Sequence, residues 1–326
     1  MTSRPRRCGE QGRALGSGRQ AARPSPKSTL AMWAEFLIAV PPLALATVLP
    51  RRIALGIAAA LGAVAYRLHR TGRRVAMINL GIAFPGELAP GQARRFARGA
   101  FVSFLQTVTE LVVALGRPAA TVLKRTDCHG AERFEAALGS GRGVLVCSAH
   151  LANWYWPAVY AAGLGVPVHV VVRPLDNRLL DRWMNRILRR KGINPISRRG
   201  FAIQSAAAAL RRGEVVGLMV DQNAAVGGRF VPFFGTPAST MRGAAMLRAI
   251  TGCEVVCVHD VRRNGRHRVV VSGPMELPDD EQLVLCRINR HFEEVIREHP
   301  ESYLWMHPRW KKRPDDEATL YPGLEV

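Results

Sequence analysis

The pattern of apolar and polar positions changes three times along the chain. Residues Met1–Ser28 are rich in Arg, Pro, Ser and Gly and show almost no apolar periodicity. Two apolar runs follow, Leu30–Leu49 and Ile53–Tyr66, the first interrupted only by Glu35 and the pair Pro41-Pro42. Arg51 and Arg52 separate them, and Arg67, His69, Arg70, Arg73 and Arg74 close the second. A spanning helix needs about 20 clean apolar residues. The first run has the length but carries an acid and two prolines, and the second is short. The pattern predicts helices that lie in or dip into a membrane face, with arginines on anionic headgroups. An ordinary buried helical hairpin and a single true span are the alternatives.

Residues Arg73–Leu115 read as helical, with a break at Pro85 and Pro90. Over Gln92–Leu115 apolar residues recur three and four apart, as in a packed helix. Gly116-Arg117-Pro118 stops it.

From about Val122 strand and helix alternate. A helix over Ala131–Leu138 leads to the apolar strand Val144–Ser148, which ends near a lone histidine, His150. Asn153 offers an N-cap for a helix reaching Gly163 or Gly165. A strand over Val166–Pro174 ends at Arg173. Helices over Asn177–Lys191 and Phe201–Arg212 follow. A strand over Glu214–Gln222 ends on Asp221-Gln222. Val231–Thr240 reads as a loop before a helix over Met241–Thr251. Cys253–Arg263 and Arg266–Pro274 read as strands around an Asn264-Gly265 turn, and Gln282–His299 as a closing helix. The alternation predicts an α/β fold with a mixed, mostly parallel sheet flanked by helices. The chain divides into a disordered basic tail (1–29), a helical membrane-associating region (30–118), an α/β domain (119–314) and a C-terminal tail (315–326). The tail could also be an over-extended start, with Met32 the true first residue.

Charge narrows the partners. The 326 residues hold 46 Lys and Arg against 25 Asp and Glu, a net charge of +21. A polyanionic partner is implied: nucleic acid, an anionic membrane surface or an acidic carrier protein. No zinc finger or RNP-type aromatic block accompanies the charge, so nucleic acid ranks last. The six cysteines form no C-x-x-C pair and no zinc site; Cys147 sits in an apolar strand and Cys253 and Cys257 flank another, which reads as buried free thiols of a reducing compartment.

If the strands are parallel neighbours, His150, Arg173 and Asp221-Gln222 gather on one sheet edge as a base, a cation and a carboxylate. A neutral imidazole accepts a proton near pH 7 and needs a carboxylate to hold its ring. No G-x-S-x-G motif is present, and Ser148, within the strand, is a poor nucleophile elbow. Direct attack by a substrate hydroxyl is therefore favoured over a covalent intermediate.

The segment GVLVCSAHLANWYW (143–156) resembles the catalytic motif of the lipid A biosynthesis lauroyl/myristoyl acyltransferases, in the wider lysophospholipid acyltransferase superfamily. NLGIAFP (Asn79–Pro85), VVVRPLDN (Val170–Asn177), VGLMVDQ (Val216–Gln222), VPFFGTPAST (Val231–Thr240) and YLWMHPRWKKRP (Tyr303–Pro314) match in family order. The resemblance covers roughly residues 33–314. It implies a glycerol-phosphate-acyltransferase-like fold at the cytoplasmic face of a bacterial inner membrane. It also implies transfer of a fatty acyl group from an acyl-carrier-protein or coenzyme A thioester to a hydroxyl of a membrane glycolipid. Neither cofactor nor metal is implied. Carried over, His150 is the base, and Asn153, Trp154, Arg173, Gln222 and Arg309 are substrate-binding residues. Arg173 and Arg309 would hold phosphate or carboxylate groups. The motif carboxylate falls at residue 155, which is Tyr, and Ala152 replaces a Gly. Tyr carries no charge at pH 7, although its hydroxyl could bond the imidazole. Asp221 then assists instead, or His150 works unaided, or the protein is an impaired relative that binds lipid or scaffolds other membrane enzymes.

Overall fold

The computed structural model describes residues 28–324 apart from 199, 264 and 316. The basic tail up to residue 27 and the Asn264 turn position lie outside the described residues.

Four helices come first: α1 (Thr29–Val48), α2 (Arg51–Leu68), α3 (Arg70–Ala83) and α4 (Pro90–Leu115). The Ser28 hydroxyl caps α1 by accepting from Ala31 N at 3.2 Å. Only Ala46 of α1 is buried, so a buried hairpin does not describe it. Leu30, Trp33, Leu37, Ile38, Leu45 and Val48 are exposed. In α2 the small residues Ala54, Ala58 and Gly62 turn inward. A Cβ added to Gly62 would lie 2.6 Å from Val102 Cα, so this glycine lets α2 approach α4 backbone to backbone. The opposite stripe, Ile53, Ile57, Leu61, Val64 and Leu68, is exposed. By length and composition α1 and α4 could each cross a membrane, but α4 is mostly buried inside the protein.

The rest of the chain runs α5 (Ala119–Leu123), β1 (Thr126–His129), α6 (Ala131–Gly139), β2 (Val144–Ser148), α7 (Trp156–Gly163), β3 (Val168–Val172), α8 (Arg178–Arg190), β4 (Ile193–Ser197), α9 (Ala202–Arg211), β5 (Val215–Met219), β6 (Arg229–Phe233), β7 (Thr236–Thr240), α10 (Gly243–Thr251), β8 (Glu254–Arg263), β9 (Arg266–Ser272) and α11 (Glu281–Glu298). Seven strands form one sheet in the order β1-β9-β8-β2-β5-β3-β4. All neighbours are parallel except β8 and β9, which pair antiparallel with Arg263 opposite Arg266. The mixed, mostly parallel sheet predicted from the alternation is present.

Three features depart from the sequence reading. Val231–Thr240 is not a loop: β6 and β7 form an antiparallel hairpin turning through Phe234 and Gly235, both at positive φ. Pro232 and Pro237 face each other in it, and such prolines argue locally against a strand. Strands β1 and β4 were not expected; both are edge strands, and Pro195 interrupts the apolar pattern of β4. Helix α7 begins at Trp156, and Asn153 supplies only its carbonyl to Trp156 N, at 2.9 Å, not a side-chain cap.

On one face of the sheet Val75 and Leu80 of α3 and Phe96 of α4 pack in one core with Leu145 and Cys147 of β2 and Val216 of β5. Tyr321 from the C-terminal segment is buried in the same core. Helix α7 covers the other face with Trp156 and Val159. Cys147, Cys253 and Cys257 are buried free thiols, and Cys128 is half-buried and free.

Candidate active site

Strands β2 and β5 are adjacent and parallel, with Ser148 opposite Met219. Their chains leave the sheet together, Val220 N donating to Ser148 O at 2.9 Å. Two residues past each strand the register brings His150 and Asp221 level. Asp221 Oδ1 lies 2.8 Å from His150 Nδ1, and its Oδ2 accepts from His150 N at 2.9 Å. One carboxylate therefore fixes both the ring and the backbone of the histidine. Burial disfavours the Asp221 anion, yet its interactions with His150 prevail and hold its carboxyl below the ordinary aspartate value. Tyr303 also bonds Asp221, and burial together with that charge keeps its phenol well above the usual range.

A carboxylate at Nδ1 selects the Nδ1–H tautomer, leaving the lone pair on Nε2. That lone pair meets the Gln222 amide nitrogen at 3.2 Å. The imidazole side chain is 13% exposed, against 3% for Asp221. Trp154 leans on it with ring centroids 5.1 Å apart.

Nε2 opens toward a cavity of about 1080 Å³. His150, Trp154, Arg173, Gln222 and His307 are among its polar lining, with Glu135, Asp176 and Arg198. Val146, Val168 and Val170 of the sheet and Ala158 and Ala161 of α7 make apolar walls, with Phe134 and Leu138 of α6 beyond. Gly217 on β5 faces Val170 in the wall, where a larger side chain would intrude. Ser148 also lines the cavity; its hydroxyl is buried and has no partner. Such a largely apolar slot, with the dyad histidine in its wall, suits one long ligand. Among the described residues no group of three His, Cys, Asp or Glu side chains is placed to hold a metal ion.

The loop carrying His150 is held at nearly every peptide group. Leu304 N donates to His150 O at 3.0 Å, and Ala152 N to Ser302 O at 3.0 Å. The Thr107 hydroxyl donates to Ala152 O at 2.5 Å, and Asn153 N donates to Asp260 Oδ2 at 3.2 Å. Ala152 is held at φ 43°, the left-handed region that disfavours a Cβ.

The residues expected at the site divide into two groups. His150, Trp154, Arg173 and Gln222 line the cavity, and Asp221 is buried behind His150, bonded to it. Arg173 follows β3 and is largely exposed, with Asp176 3.8 Å away. Tyr155 lines the cavity too, but its hydroxyl bonds Trp154, not the imidazole, and burial raises its pKa. Asn153 and Arg309 take a place different from the substrate-facing one expected. Asn153 is fully buried and its amide donates to Glu110 Oε2 at 3.2 Å. Arg309 is neither solvated nor turned to the cavity. It is 1% exposed, donating to Ser239 O at 2.7 Å, Thr240 Oγ1 at 2.6 Å and Gln222 O at 3.4 Å, over the Phe233 ring. It joins the β6–β7 hairpin to the backbone beside the dyad. Asn79 plays a similar part, donating to Trp305 O and His307 O at 2.7 Å each. Sequence reasoning missed Glu110, Asp260, Thr107, Tyr303 and His307. For Glu110 one signal existed: a lone acid inside the apolar run of α4.

The profile of a family described as bacterial lipid A biosynthesis acyltransferase matches residues 25–312. The chain is similar to a lipid A biosynthesis palmitoleoyltransferase of Escherichia coli, 29% identical over 266 residues, 80% of this chain and 86% of that protein. It is similar to the lauroyltransferase of the same organism, 28% identical over 84% of this chain and 90% of that one. The E. coli myristoyltransferase is 25% identical, over 83% and 84%.

Proposed function

The chain belongs to the bacterial lipid A biosynthesis acyltransferases and is an acyltransferase; from that premise we propose that it acylates a hydroxyl of a lipid A-like glycolipid, with His150 as general base and Asp221 as the carboxylate that orients it. The observation that carries this reading is the His150–Asp221 pair, 2.8 Å apart, with His150 in the wall of a large, largely apolar cavity. The donor is an acyl-carrier-protein or coenzyme A thioester whose acyl chain occupies the cavity. The glycolipid hydroxyl takes the place of the Gln222 amide at Nε2. As its oxygen bonds to the thioester carbonyl carbon, the proton passes to Nε2 and the imidazolium is stabilised by Asp221. Collapse breaks the carbon–sulfur bond, and the thiolate leaves with that proton. The unpartnered Ser148 hydroxyl is available to the carbonyl oxygen on which charge develops.

Tyr155 does not argue for a retired site, because the position on Nδ1 is already filled by an acid. Membrane seating is part of the same proposal. Helix α1, whose apolar side chains are exposed, meets the N-cap of α8, where Asn177 Nδ2 donates to Met32 O at 2.8 Å and to Glu35 Oε2 at 2.9 Å. Arg178, Arg182, Arg186, Arg189 and Arg190 of α8 are all exposed. An apolar helix beside a guanidinium-rich one suits an anionic membrane face, at the inner side of the inner membrane.

Acyl transfer by detergent-solubilised full-length protein tests the reading, with labelled acyl-carrier-protein and acyl-CoA donors and a lipid A precursor as acceptor. His150→Ala is expected to lose at least about 10⁴-fold, and Asp221→Asn roughly 10³–10⁴-fold. Tyr155→Glu is expected to lower activity, because it puts a charge in an apolar wall. A silent wild type that gains activity with Tyr155→Glu would replace this reading with that of a retired enzyme.

A further inference from the structure

A second cluster of charges lies under the catalytic loop, and none of its residues lines the cavity. Glu110 of α4 is 1% exposed. Arg51, the first residue of α2, pairs with its Oε1, and Arg262 of β8 pairs with its Oε2 at 2.9 Å. His267 Nε2 lies 3.3 Å from Oε1, while its Nδ1 lies 2.9 Å from Asp260 Oδ2. Burial opposes ionisation of Glu110, but Arg262, His267 and Arg51 outweigh it and hold the carboxyl well below its usual range.

Two of the N–H donors of Asn153 end on this cluster. Its side-chain amide donates to Glu110 Oε2 and its peptide N–H to Asp260 Oδ2, each at 3.2 Å. Arg262 also donates to Thr107 Oγ1 at 3.3 Å, and that hydroxyl holds the Ala152 carbonyl. The cluster thus grips the two residues that follow Leu151 in the loop after His150. The grip opposes a real tendency to relax, since Ala152 sits in left-handed backbone.

We propose that Glu110 is a positioning residue for acyl transfer: through the Asn153 amide it fixes the loop that presents His150, and through Arg51 it ties that setting to the N-terminal helices. The inference rests on His150 being the base. Displacing a reacting group by about 1 Å costs on the order of 100-fold in rate, so a loosened loop lowers kcat without weakening the cavity's hold on the acyl chain.

The test uses full-length protein in detergent with Glu110→Gln, Asn153→Ala and the double variant. Glu110→Gln keeps the shape and removes the charge. Each single change is expected to lower kcat about 10–100-fold, with KM for donor and acceptor within about twofold. The double variant is expected to be no worse than the worse single one, since residues acting as one unit are not additive. Nitrogen-15 NMR of labelled histidine reads the His150 Nδ1–H resonance, which is expected to shift in all three. Unchanged kcat below the melting temperature with an unmoved His150 resonance would overturn the proposal, as would fully additive losses. If Glu110→Gln fails to fold, Asn153→Ala carries the test, because it leaves Glu110 with its cations. Should wild-type protein show no His150-dependent transfer, the functional reading fails on that ground. The resonance still decides the positioning: moved by Asn153→Ala, the loop is set from below; unmoved, it is not.

Discussion

Among the described residues two histidine–aspartate pairs stand out, and at first glance they are equivalent. His150 Nδ1 is 2.8 Å from Asp221, and His267 Nδ1 is 2.9 Å from Asp260. The second nitrogen separates them. His267 Nε2 is spent on Glu110, the ring is fully buried, and it stacks on Trp156 at 3.6 Å. His150 Nε2 meets only the neutral Gln222 amide, and its ring borders a cavity. A base needs a free lone pair and a place for the proton donor. The first pair has both, and the second has neither. Distance to a carboxylate alone would have ranked them equal.

The largest expected effects split along that line. His150→Ala is expected to abolish transfer, about 10⁴-fold or more, and to lower the melting temperature less than His267→Ala does, because Asp221 keeps the backbone N–H of residue 150 and Tyr303. His267→Ala leaves Glu110 and Asp260 short of a buried partner and is expected to cost about 3–5 kcal/mol of stability. Thermal melts and transfer assays on the same preparations check both. A His267→Ala protein as stable as wild type would show that the second pair is not structural support.

Acidity separates the regions in sign. Burial, above the neighbouring charges, brings His307 beside the dyad down to about 4, below its ordinary 6.5. Between those values the unfolded chain binds a proton that the native protein refuses. Stability therefore falls as pH drops through that window, by up to about 1.4 kcal/mol per pH unit. For His267 burial works downward, but Asp260 and Glu110 prevail and raise it. Its contribution is full below 6.5 and is lost as pH rises through the raised value. Denaturant titrations from pH 4 to pH 9 are expected to show a shallower acid-side slope in His307→Asn and a shallower alkaline-side slope in His267→Ala. Slopes that match wild type in both variants would remove this contrast.

The same contrast explains what the chain betrayed in advance. His150, Asp221, Gln222 and Arg173 were legible because each closes an apolar run that alternates with helices. Parallel pairing of β2, β5 and β3 then aligns those run ends without further information. The support cluster is assembled from Arg51, Glu110, Asp260, Arg262 and His267, whose segments meet only in the folded state. Neither spacing nor periodicity joins Arg51 to Glu110. Arg309 was misplaced for a related reason. The resemblance assigns it to a substrate anion, and only the β6–β7 hairpin, hidden by its prolines, gives it buried acceptors.

The smallest expected effect probes the join between the two regions, at Ala152. Left-handed backbone costs a non-glycine residue about 1–2 kcal/mol, so Ala152→Gly relieves strain. It also removes a buried methyl, worth about 0.8 kcal/mol, and adds freedom to the unfolded chain worth about 0.4–1 kcal/mol. The terms nearly cancel, and the net change in stability is expected to stay within about 1 kcal/mol by denaturant titration. The informative comparison is between backgrounds. If the cluster beneath the loop holds Ala152 against its preference, glycine is expected to recover part of the kcat lost in Glu110→Gln, because a relaxed loop then needs less holding. Equal effects of Ala152→Gly in both backgrounds would mean that strain and support are independent, and that the loop is set by Asp221, Ser302 and Leu304 alone.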